Sequence, residues 1–468
     1  MHALPIMYPL MCAAAFLDIA DSAQARPPLV QKRRAAIEAS SALHVRKSGA
    51  KKTPIEQLKG RDHKNDPYCA DIVWLFDGAT PALDVEVGDT TFRVLFDTGS
   101  SPFWIPGHAW QCIDNIDSNI THIAQDECGK AHLTTRADFE FSGGGIADTP
   151  HAWFNSSYGE GDHGALGPVG HQEITIGDLH LPDAVTGIGT EIDWPYDPLI
   201  GLLGFAFPYR TSYWPRAELD QVVEVQYLAN ITHYNPVVFQ AAADGYISPI
   251  FGYYFDGFGN KDGSVGGKIV FGGEPSIPAG PFTPGIPIVP KAQNRADSSD
   301  EIVHDFWTFH MDGFKIVPAP GADPIVFSYL NDDAGEMRDI KSMYYNHSAV
   351  LDTGTPPCFL PGDVVNETLK HIHPAPFLDD VGHYYAVCNA TLPALAITVG
   401  GIDLWFNRSG IVFPESIESE KGACQVGIRP ADPYQPLIGL GWLINVVSVH
   451  EFGDAMAPTV KFAQRLWE

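Results

Sequence analysis

The chain has 468 residues, of which 45 are glycine and 38 are proline, and only 18% are charged; this length predicts two or three domains rather than one hydrophobic core. After the N-terminal segment no apolar run reaches about 20 residues, so the sequence predicts no membrane span. The net charge of −28 makes nucleic acid an unfavourable partner, because binding to phosphate requires cations.

Residues 1–25 have the pattern of a signal peptide. An apolar stretch, residues 6–17, precedes the small residues Ala23-Gln24-Ala25, which match an A-x-A cleavage site. No Lys or Arg precedes the apolar stretch, and the alternative is a buried N-terminal helix. The pattern predicts a secreted, extracellular protein, with the vacuole as the alternative destination.

Residues 26–65 carry 11 of the 29 Lys and Arg residues. A polybasic arm on an acidic body could bind nucleic acid, or it could cover its own body as a pro-segment. The preceding signal sequence favours a basic propeptide that acts as the protein's own inhibitor. Lys32-Arg33-Arg34 and Lys51-Lys52 are candidate processing sites.

From residue 67 onward, short runs of alternating apolar and polar residues end at Gly, Asp or Pro, as β-strands do. Two windows favour a helix, residues 219–230 and residues 363–372. Many short strands with few helices predict an all-β architecture. The clearest strand patterns are residues 83–87, 91–96, 173–176, 268–271, 396–399 and 446–450.

One motif occurs twice. Residues 94–106 read VLFDTGSSPFWIP and residues 349–361 read AVLDTGTPPCFLP, which align without a gap at an offset of 255. In both copies an Asp follows a buried-strand pattern, although a carboxylate leaves water only at a cost unless it is paired. The spacing predicts an N-terminal lobe over residues 66–285 and a C-terminal lobe over residues 286–468, connected near the Pro- and Gly-rich residues 278–290.

If the two copies face each other, their carboxylates come close together. At about 4 Å two carboxylates repel by roughly 4 kcal/mol at an effective dielectric of about 20, so the pair would keep one proton and titrate as a unit. One group could then activate a water while the other donates a proton to a carbonyl oxygen. The alternative is a pair of structural Asx turns. The candidate catalytic residues are Asp97 and Asp352, supported by Thr98, Gly99, Ser100, Thr353, Gly354 and Thr355.

Each supporting residue type has a physical reason in this motif. A glycine lets the backbone approach a carboxylate closely enough for its N–H to donate. The Thr98 and Thr353 hydroxyls could tie one loop to the other. Ser100 and Thr355 are placed to donate to the carboxylates, with ordinary turn hydroxyls as the alternative.

The patterns D-T-G-S-S-x-x-W-I and D-T-G-T resemble the active-site motifs of the pepsin-like aspartic proteases, a family whose paired aspartates are known to share a proton. The resemblance extends from about residue 80 to the C-terminus. It implies two pseudo-twofold-related, β-barrel-like lobes with a central cleft. It also implies a secreted, fungal-type aspartic endopeptidase that acts on polypeptides at acidic pH, is made as a zymogen, is a monomer, and uses no cofactor or metal.

Residues 157–161, SYGEG, resemble the family's flap, the hairpin that closes over the substrate. The resemblance makes Tyr158 the flap tyrosine, followed by Gly159 and Glu160, and makes the indole of Trp104 its hydrogen-bond partner. The alternatives are an exposed loop tyrosine and a plain core tryptophan. An acidic Glu160 would favour Lys or Arg just before the cleaved bond.

Two further segments, residues 202–204 (LLG) and 437–439 (LIG), resemble those that cross behind the catalytic loops of the family. The sequence also differs from the family's motifs in two places. Pro356-Pro357 follows the second motif in place of small polar residues, and residues 436–452 lack the family's I-L-G-D and V-F-D spellings.

Seven cysteines and seven N-x-S/T sequons fit an exported glycoprotein. Cys12 would leave with the signal peptide, and the states of Cys69 and Cys358 stay open. Two pairs are close enough in sequence to bond, and the second matches the family's C-terminal disulfide: Cys112 with Cys128, and Cys388 with Cys424. The sequons are at Asn119, Asn155, Asn230, Asn346, Asn366, Asn389 and Asn407.

Two rival functions use the same residues. A catalytically silent relative would use the fold for binding, which two intact motifs disfavour. A glycosidase would hold its carboxyls about 5–9.5 Å apart. The 18 histidines show no H-E-x-x-H spacing for a metal, and His163 and the group of Asp379, Asp380 and His383 are expected at the solvated surface.

Overall fold

The computed structural model describes most of the chain from residue 67 onward. The predicted signal peptide, the predicted propeptide and the predicted helix at residues 219–230 lie outside the described residues. No helix in the described part combines the length and apolar character needed to cross a membrane. The described residues are 67–116, 119–123, 145–146, 149–150, 152–158, 163–194, 199, 201–211, 213–215, 232–258, 262–290, 303–329, 347–379, 382–414, 423–431, 435–453 and 457–467.

Up to residue 290 the described chain is built of β-strands, with one α-helix and two short 3-10 turns at Phe76–Gly78 and Pro208–Arg210. The helix, α1, spans Val237–Ala243. The strands are β1 Tyr68–Leu75, β2 Thr80–Val87, β3 Thr90–Asp97, β4 Phe103–Ile116, β5 Asn119–Ile123, β6 Gly145–Ile146, β7 Thr149–Pro150, β8 Ala152–Tyr158, β9 His163–Ile176, β10 Leu179–Asp193, β11 Leu202–Gly204, β12 Trp214–Pro215, β13 Ile250–Phe255, β14 Val265–Phe271, β15 Ala279–Phe282 and β16 Ile286–Pro287.

The described chain after residue 303 has the same character. Its helices are α2 Gly362–Lys370, α3 Arg408–Ile411 and α4 Leu440–Leu443. Its strands are β17 Thr308–His310, β18 Gly313–Val317, β19 Ile325–Ser328, β20 Ser348–Leu351, β21 Cys358–Leu360, β22 Phe377–Leu378, β23 Tyr384–Val387, β24 Ala394–Val399, β25 Ile402–Trp405, β26 Ala423–Gln425, β27 Ile428–Pro430, β28 Leu437–Ile438, β29 Val446–Glu451 and β30 Thr459–Arg465.

One sheet joins the two halves of the chain. Its strand order runs β12-β8-β9-β10-β4-β11-β3-β2-β1 and continues through β14-β13-β29-β30-β15. β29 therefore lies beside β13, with Tyr253 opposite Ser448 and Phe251 opposite His450, and β30 lies beside β29. We call β1, β14, β13, β29, β30 and β15 the interlobe sheet. The predicted connection at residues 278–290 contributes β15 and β16, both of which pair with β30.

The two motif copies sit in matching sheet environments. β3 is flanked by β11, parallel to it, and β11 in turn pairs antiparallel with β4. In the second half β20 has a parallel neighbour, β28, which pairs antiparallel with β21. Each Asp therefore leaves the end of an interior strand, as a repeated bilobal fold requires.

All six predicted strand patterns lie in strands, and the predicted helix at residues 363–372 corresponds to α2. Helix α1 was not predicted from sequence. Its residues VVFQAAA begin with two β-branched residues and an aromatic, a composition typical of strands. Burial of Val237, Val238 and Ala241 stabilises the helix in spite of that preference.

The expectation of a solvated surface is wrong for His383, which is only 9% exposed. The His383 N–H, just before β23, donates to Asp379 Oδ1 at 2.7 Å. The His383 imidazole lies against Gln425, with 3.5 Å between Nδ1 and the amide nitrogen. His163 is half-buried, 3.6 Å from Asp193, and Asp380 lies outside the described residues.

A second histidine, His450, is fully buried in the interlobe sheet. Its ring stacks on Phe251 at 4.5 Å between centroids and meets the edge of Trp307 at 4.5 Å. Nε2 lies 2.9 Å from the Ser448 hydroxyl, and Nδ1 has no hydrogen-bond partner in the described part of the chain. Burial lowers the pKa of His450 to about 3, so the native protein holds this side chain neutral.

This burial predicts an acid-dependent loss of stability. Between about pH 6.5 and about pH 3 the unfolded chain binds one more proton at this site than the native chain, so the free energy of unfolding falls by about 1.4 kcal/mol per pH unit as pH falls. A phenylalanine at this position has no proton to bind, so the difference in thermal midpoint between His450→Phe and wild type should shift in favour of the variant as pH falls from about 6.5 to about 3. The exposed His310→Phe is the control, and parallel midpoint curves for His450→Phe and wild type would contradict the prediction.

Candidate active site

The two aspartates of the repeated motif meet at the centre of the molecule. Asp97 ends β3 and Asp352 follows β20, and both are buried, with exposed fractions of 2% and 1%. Their carboxyl groups are hydrogen-bonded to each other. This contact is much closer than the separation of about 5 Å or more that a glycosidase needs, so the glycosidase alternative is wrong.

Each carboxyl group is held by its own loop. In the first loop the Gly99 N–H donates to Asp97 Oδ1 at 2.7 Å, and the Ser100 hydroxyl donates to Oδ2 at 2.5 Å. The second loop repeats both bonds: Gly354 N–H to Asp352 Oδ1 at 2.8 Å, and the Thr355 hydroxyl to Asp352 Oδ2 at 2.7 Å. Ser100 and Thr355 thus donate to the carboxyls as the sequence pattern indicated.

The glycines are required by the opposite aspartate. A Cβ on Gly99 would lie 2.7 Å from the Asp352 carboxyl carbon, and a Cβ on Gly354 would lie 3.0 Å from that of Asp97. Neither carboxyl can move aside, because both are fixed by hydrogen bonds. Each loop therefore leaves the space that the other carboxyl fills.

The two loops are bound to each other through their threonines. The Thr98 hydroxyl donates to Leu351 O at 3.0 Å and accepts from the Thr353 N–H at 3.1 Å. The Thr353 hydroxyl donates to Phe96 O at 2.7 Å and accepts from the Thr98 N–H at 3.0 Å. These four buried bonds cross between the two halves and are related by the same pseudo-twofold symmetry.

Two glycines allow strands to cross directly behind the loops. A Cβ at Gly204 would lie 2.4 Å from Ser100 O, and one at Gly439 would lie 2.3 Å from Thr355 O. Gly204 ends β11 and Gly439 directly follows β28, which identifies residues 202–204 and 437–439 as the crossing segments. Pro356 belongs to this contact as well, because its carbonyl accepts from the Gly441 N–H at 2.9 Å.

The electrostatics of the pair are unequal. Burial raises the pKa of both carboxyls, and hydrogen bonds from Ser100, Asp352 and the loop backbone reduce that rise for Asp97. The pKa of Asp352 lies well above its usual range, first because of burial and then because of the negative charge of Asp97. Asp352 therefore holds the first proton, and Asp97 accepts its hydrogen bond.

The predicted flap is a hairpin of β8 and β9, in which Tyr158 pairs with His163. The Trp104 indole N–H donates to the Tyr158 hydroxyl at 2.8 Å. Burial raises the pKa of Tyr158, and the charge of Asp97 raises it further, which places the phenol near the carboxyl pair. Gly159 and Glu160 lie outside the described residues.

The structure adds an aromatic neighbour that the sequence did not single out. Trp194 is 3% exposed and meets the edges of Trp104 at 5.3 Å and Tyr158 at 5.5 Å between centroids. Its indole N–H donates to Leu199 O at 3.0 Å. No residue pattern around Trp194 distinguishes it from a core tryptophan, so only the fold reveals its place beside the flap.

One predicted cysteine pair is described in full: Cys388 and Cys424 form a disulfide. Cys112 is disulfide-bonded, but Cys128 lies outside the described residues, so the pair Cys112 with Cys128 stays a prediction. Both Cys69 and Cys358 are free thiols. Burial raises the pKa of Cys358 to about 12, so this thiol packs as a small apolar side chain and is not a nucleophile.

The comparisons with known proteins agree with this geometry. The family model described as eukaryotic aspartyl protease matches residues 82–318 and 330–465. A probable aspartic-type endopeptidase of Aspergillus fumigatus is 24% identical over 394 residues, which cover 82% of this chain and 79% of that protein. Napsin-A of Mus musculus is 26% identical over 391 residues, which cover 80% and 74%. The crystal structure of an aspartic proteinase from Irpex lacteus has a TM-score of 0.57 at 16% identity, covering 86% of this chain and 98% of that one.

The fold and the site together define a bilobal β-protein with a proton-sharing carboxyl pair between its halves. The chain belongs to the eukaryotic aspartyl protease family, and it is an aspartic endopeptidase of the pepsin-like type. The resemblance and the all-β, bilobal fold predicted from the sequence are thereby confirmed.

The threonine bonds give a stability prediction. Thr353→Val keeps the shape of the side chain but leaves the Phe96 carbonyl and the Thr98 N–H without their buried partner, at a cost of about 2–4 kcal/mol for two bonds. We expect a lower thermal midpoint for Thr353→Val and a similar loss for Thr98→Val. The double variant should lose less than the sum, because both remove one connected set of bonds.

Thr353→Ser keeps the hydroxyl and is the matched control, which should unfold close to wild type. Thermal unfolding followed by circular dichroism compares the four variants with wild type. A Val variant as stable as the Ser variant would show that the cross-loop bonds do not hold the halves together.

Proposed function

We propose that this protein is a secreted acid endopeptidase, made as a zymogen, in which Asp97 and Asp352 together activate a water for attack on a peptide bond. The observation that carries the proposal is the buried hydrogen bond between the two carboxyls, with the pKa of Asp352 well above that of an ordinary carboxyl. A pair in this state holds one proton in acid and presents both an acid and a base to the substrate.

The roles follow from the unequal pKa values. Asp97, ionised and bound by Gly99 and Ser100, accepts a proton from the water. Asp352, protonated, donates its proton to the carbonyl oxygen while the water oxygen bonds to the carbonyl carbon, which becomes tetrahedral with no covalent bond to the enzyme. Asp97 then gives its proton to the leaving nitrogen and the C–N bond breaks. Asp352 takes a proton back from the diol, which restores the single shared proton.

The flap and the cleft would hold an extended polypeptide. Tyr158 is fixed by Trp104 close to the carboxyl pair, and the β8–β9 hairpin offers main-chain groups for pairing with a substrate strand. Substrate in this position excludes bulk water and leaves the attacking water at the pair, which strengthens every electrostatic contact there.

Export and processing complete the proposal. The signal-like residues 1–25 and the basic residues 26–65 precede Tyr68, the first residue of β1, which pairs with β14 in the interlobe sheet. A mature chain beginning near residue 65 would therefore keep the whole sheet. Asn366 and Asn389 are exposed sequons and are suited to glycosylation.

The central prediction concerns the carboxyl pair. Asp97→Asn and Asp352→Asn each remove the proton-sharing partner while keeping the side-chain shape, so we expect each to lower kcat by at least about a thousandfold. Cleavage of acid-denatured globin and of a peptide library measures the activity. Asp71→Asn, an exposed change in β1, is the control and should cleave as wild type does.

Wild-type kcat/KM should fall as pH rises through the raised pKa of the pair, because the shared proton is then lost. It should fall again in strong acid, where Asp97 also takes a proton. Substantial turnover by either Asn variant, or an optimum near neutral pH, would contradict the mechanism. An inactive wild type that still binds a pepstatin-like inhibitor would instead favour the silent relative.

The propeptide prediction separates activation from catalysis. At neutral pH the basic residues 26–65 should bind the acidic body, and protonation of carboxylates in acid should release them. We expect full-length protein to gain activity after acid treatment, with a new N-terminus near residue 65 found by mass spectrometry. Full activity of the intact chain at its first exposure to substrate would contradict self-inhibition.

A further inference from the structure

A tyrosine lies directly beneath the catalytic loops. Tyr253, on β13, is fully buried, and its ring meets the edge of Phe96 at 5.2 Å between centroids. Phe96 immediately precedes Asp97, and its carbonyl accepts the hydrogen bond from the Thr353 hydroxyl. The ring of Tyr253 therefore supports the strand end from which the first carboxyl projects.

Among the described residues, the hydroxyl of Tyr253 has no partner at normal hydrogen-bond geometry. It lies beside the hydroxyls of Ser448 and Thr98, which partly offset the increase in its pKa caused by burial, and the charge of Asp352 adds to that increase. A buried hydroxyl without a partner costs free energy. Because the Ser448 and Thr98 hydroxyls are its neighbours, a small movement of either would give the Tyr253 hydroxyl a hydrogen-bond partner.

Thr98 has one acceptor position left for such a bond. Its hydroxyl oxygen already donates to Leu351 O and accepts from the Thr353 N–H. A hydroxyl oxygen carries two lone pairs, so one remains for a further donor. Ser448 is already engaged on its other side with His450 Nε2 at 2.9 Å.

We propose that Tyr253 is a positioning residue whose hydroxyl donates to the Thr98 hydroxyl oxygen as the transition state forms at the carboxyl pair. The inference rests on the proposed function of the carboxyl pair. Hydrogen bonds of catalytic sites are often long without substrate and shorten in the reacting complex. A bond made only at that stage contributes to kcat and not to the binding of substrate.

The test is Tyr253→Phe, which removes the hydroxyl and keeps the ring against Phe96. We expect kcat to fall about tenfold with KM unchanged, which corresponds to about 1.4 kcal/mol of lost transition-state stabilisation. Because the lost group is unsatisfied in the resting protein, the thermal midpoint should stay the same or rise. A slower and equally stable enzyme is an outcome that a purely structural role does not produce.

Tyr254→Phe is the matched control, since the next residue of β13 projects to the other face of the sheet, where its ring lies 4.9 Å from the Arg465 guanidinium. It should keep the wild-type kcat and KM. Wild-type kcat in Tyr253→Phe, a raised KM, or a lowered thermal midpoint would overturn the inference and leave the proposed function intact. A wild type without peptidase activity would overturn both.

Discussion

The structure depends on the mutual binding of two loops that each carry a buried carboxyl. Two charges placed in contact away from water would drive the halves apart, and the shared proton removes one of those charges. The threonine hydroxyls then bind each loop to the backbone of the other through four buried hydrogen bonds. The carboxyl pair and the threonine bonds are therefore one unit.

The interlobe sheet makes this unit rigid and also limits the conditions in which it survives. Phe96, Tyr253 and His450 form a layer of aromatic rings under the loops. An apolar layer keeps the local dielectric low, which raises the pKa of the carboxyls and lowers the pKa of the histidine. The same burial that gives the pair a proton in acid makes the native state less stable there.

Much of the site could be predicted from sequence because its constraints are local. The strand before each Asp, the glycine that gives space and the hydroxyl three residues later all lie within one short motif. Its repetition at an offset of 255 showed that the copies should meet. The predicted role of Trp104 depended on the resemblance, and the structure shows that its indole reaches Tyr158.

The unpredicted features depend on contacts between distant parts of the chain. Trp194 lies beside the flap because β10 crosses to β4, and no spacing in the sequence encodes that contact. Tyr253 lies opposite Ser448 only because β29, from the far end of the chain, pairs with β13. Likewise, the burial of His383 depends on its contact with Gln425 on β26, and that contact could not be predicted from the sequence around His383.

The two motif copies, nearly identical in sequence, still acquire different chemistry. Each carboxyl receives a backbone N–H and a hydroxyl, and the Ser100 backbone adds a further stabilising contact at Asp97. A further difference arises in the bond between the carboxyls, where one must donate and the other must accept. Once Asp97 is the acceptor, its charge raises the pKa of Asp352 and fixes the proton there. A symmetric fold thus obtains an acid and a base from the same residue type, because the pair holds one proton: the carboxyl that carries it is the acid, and the ionised carboxyl is the base.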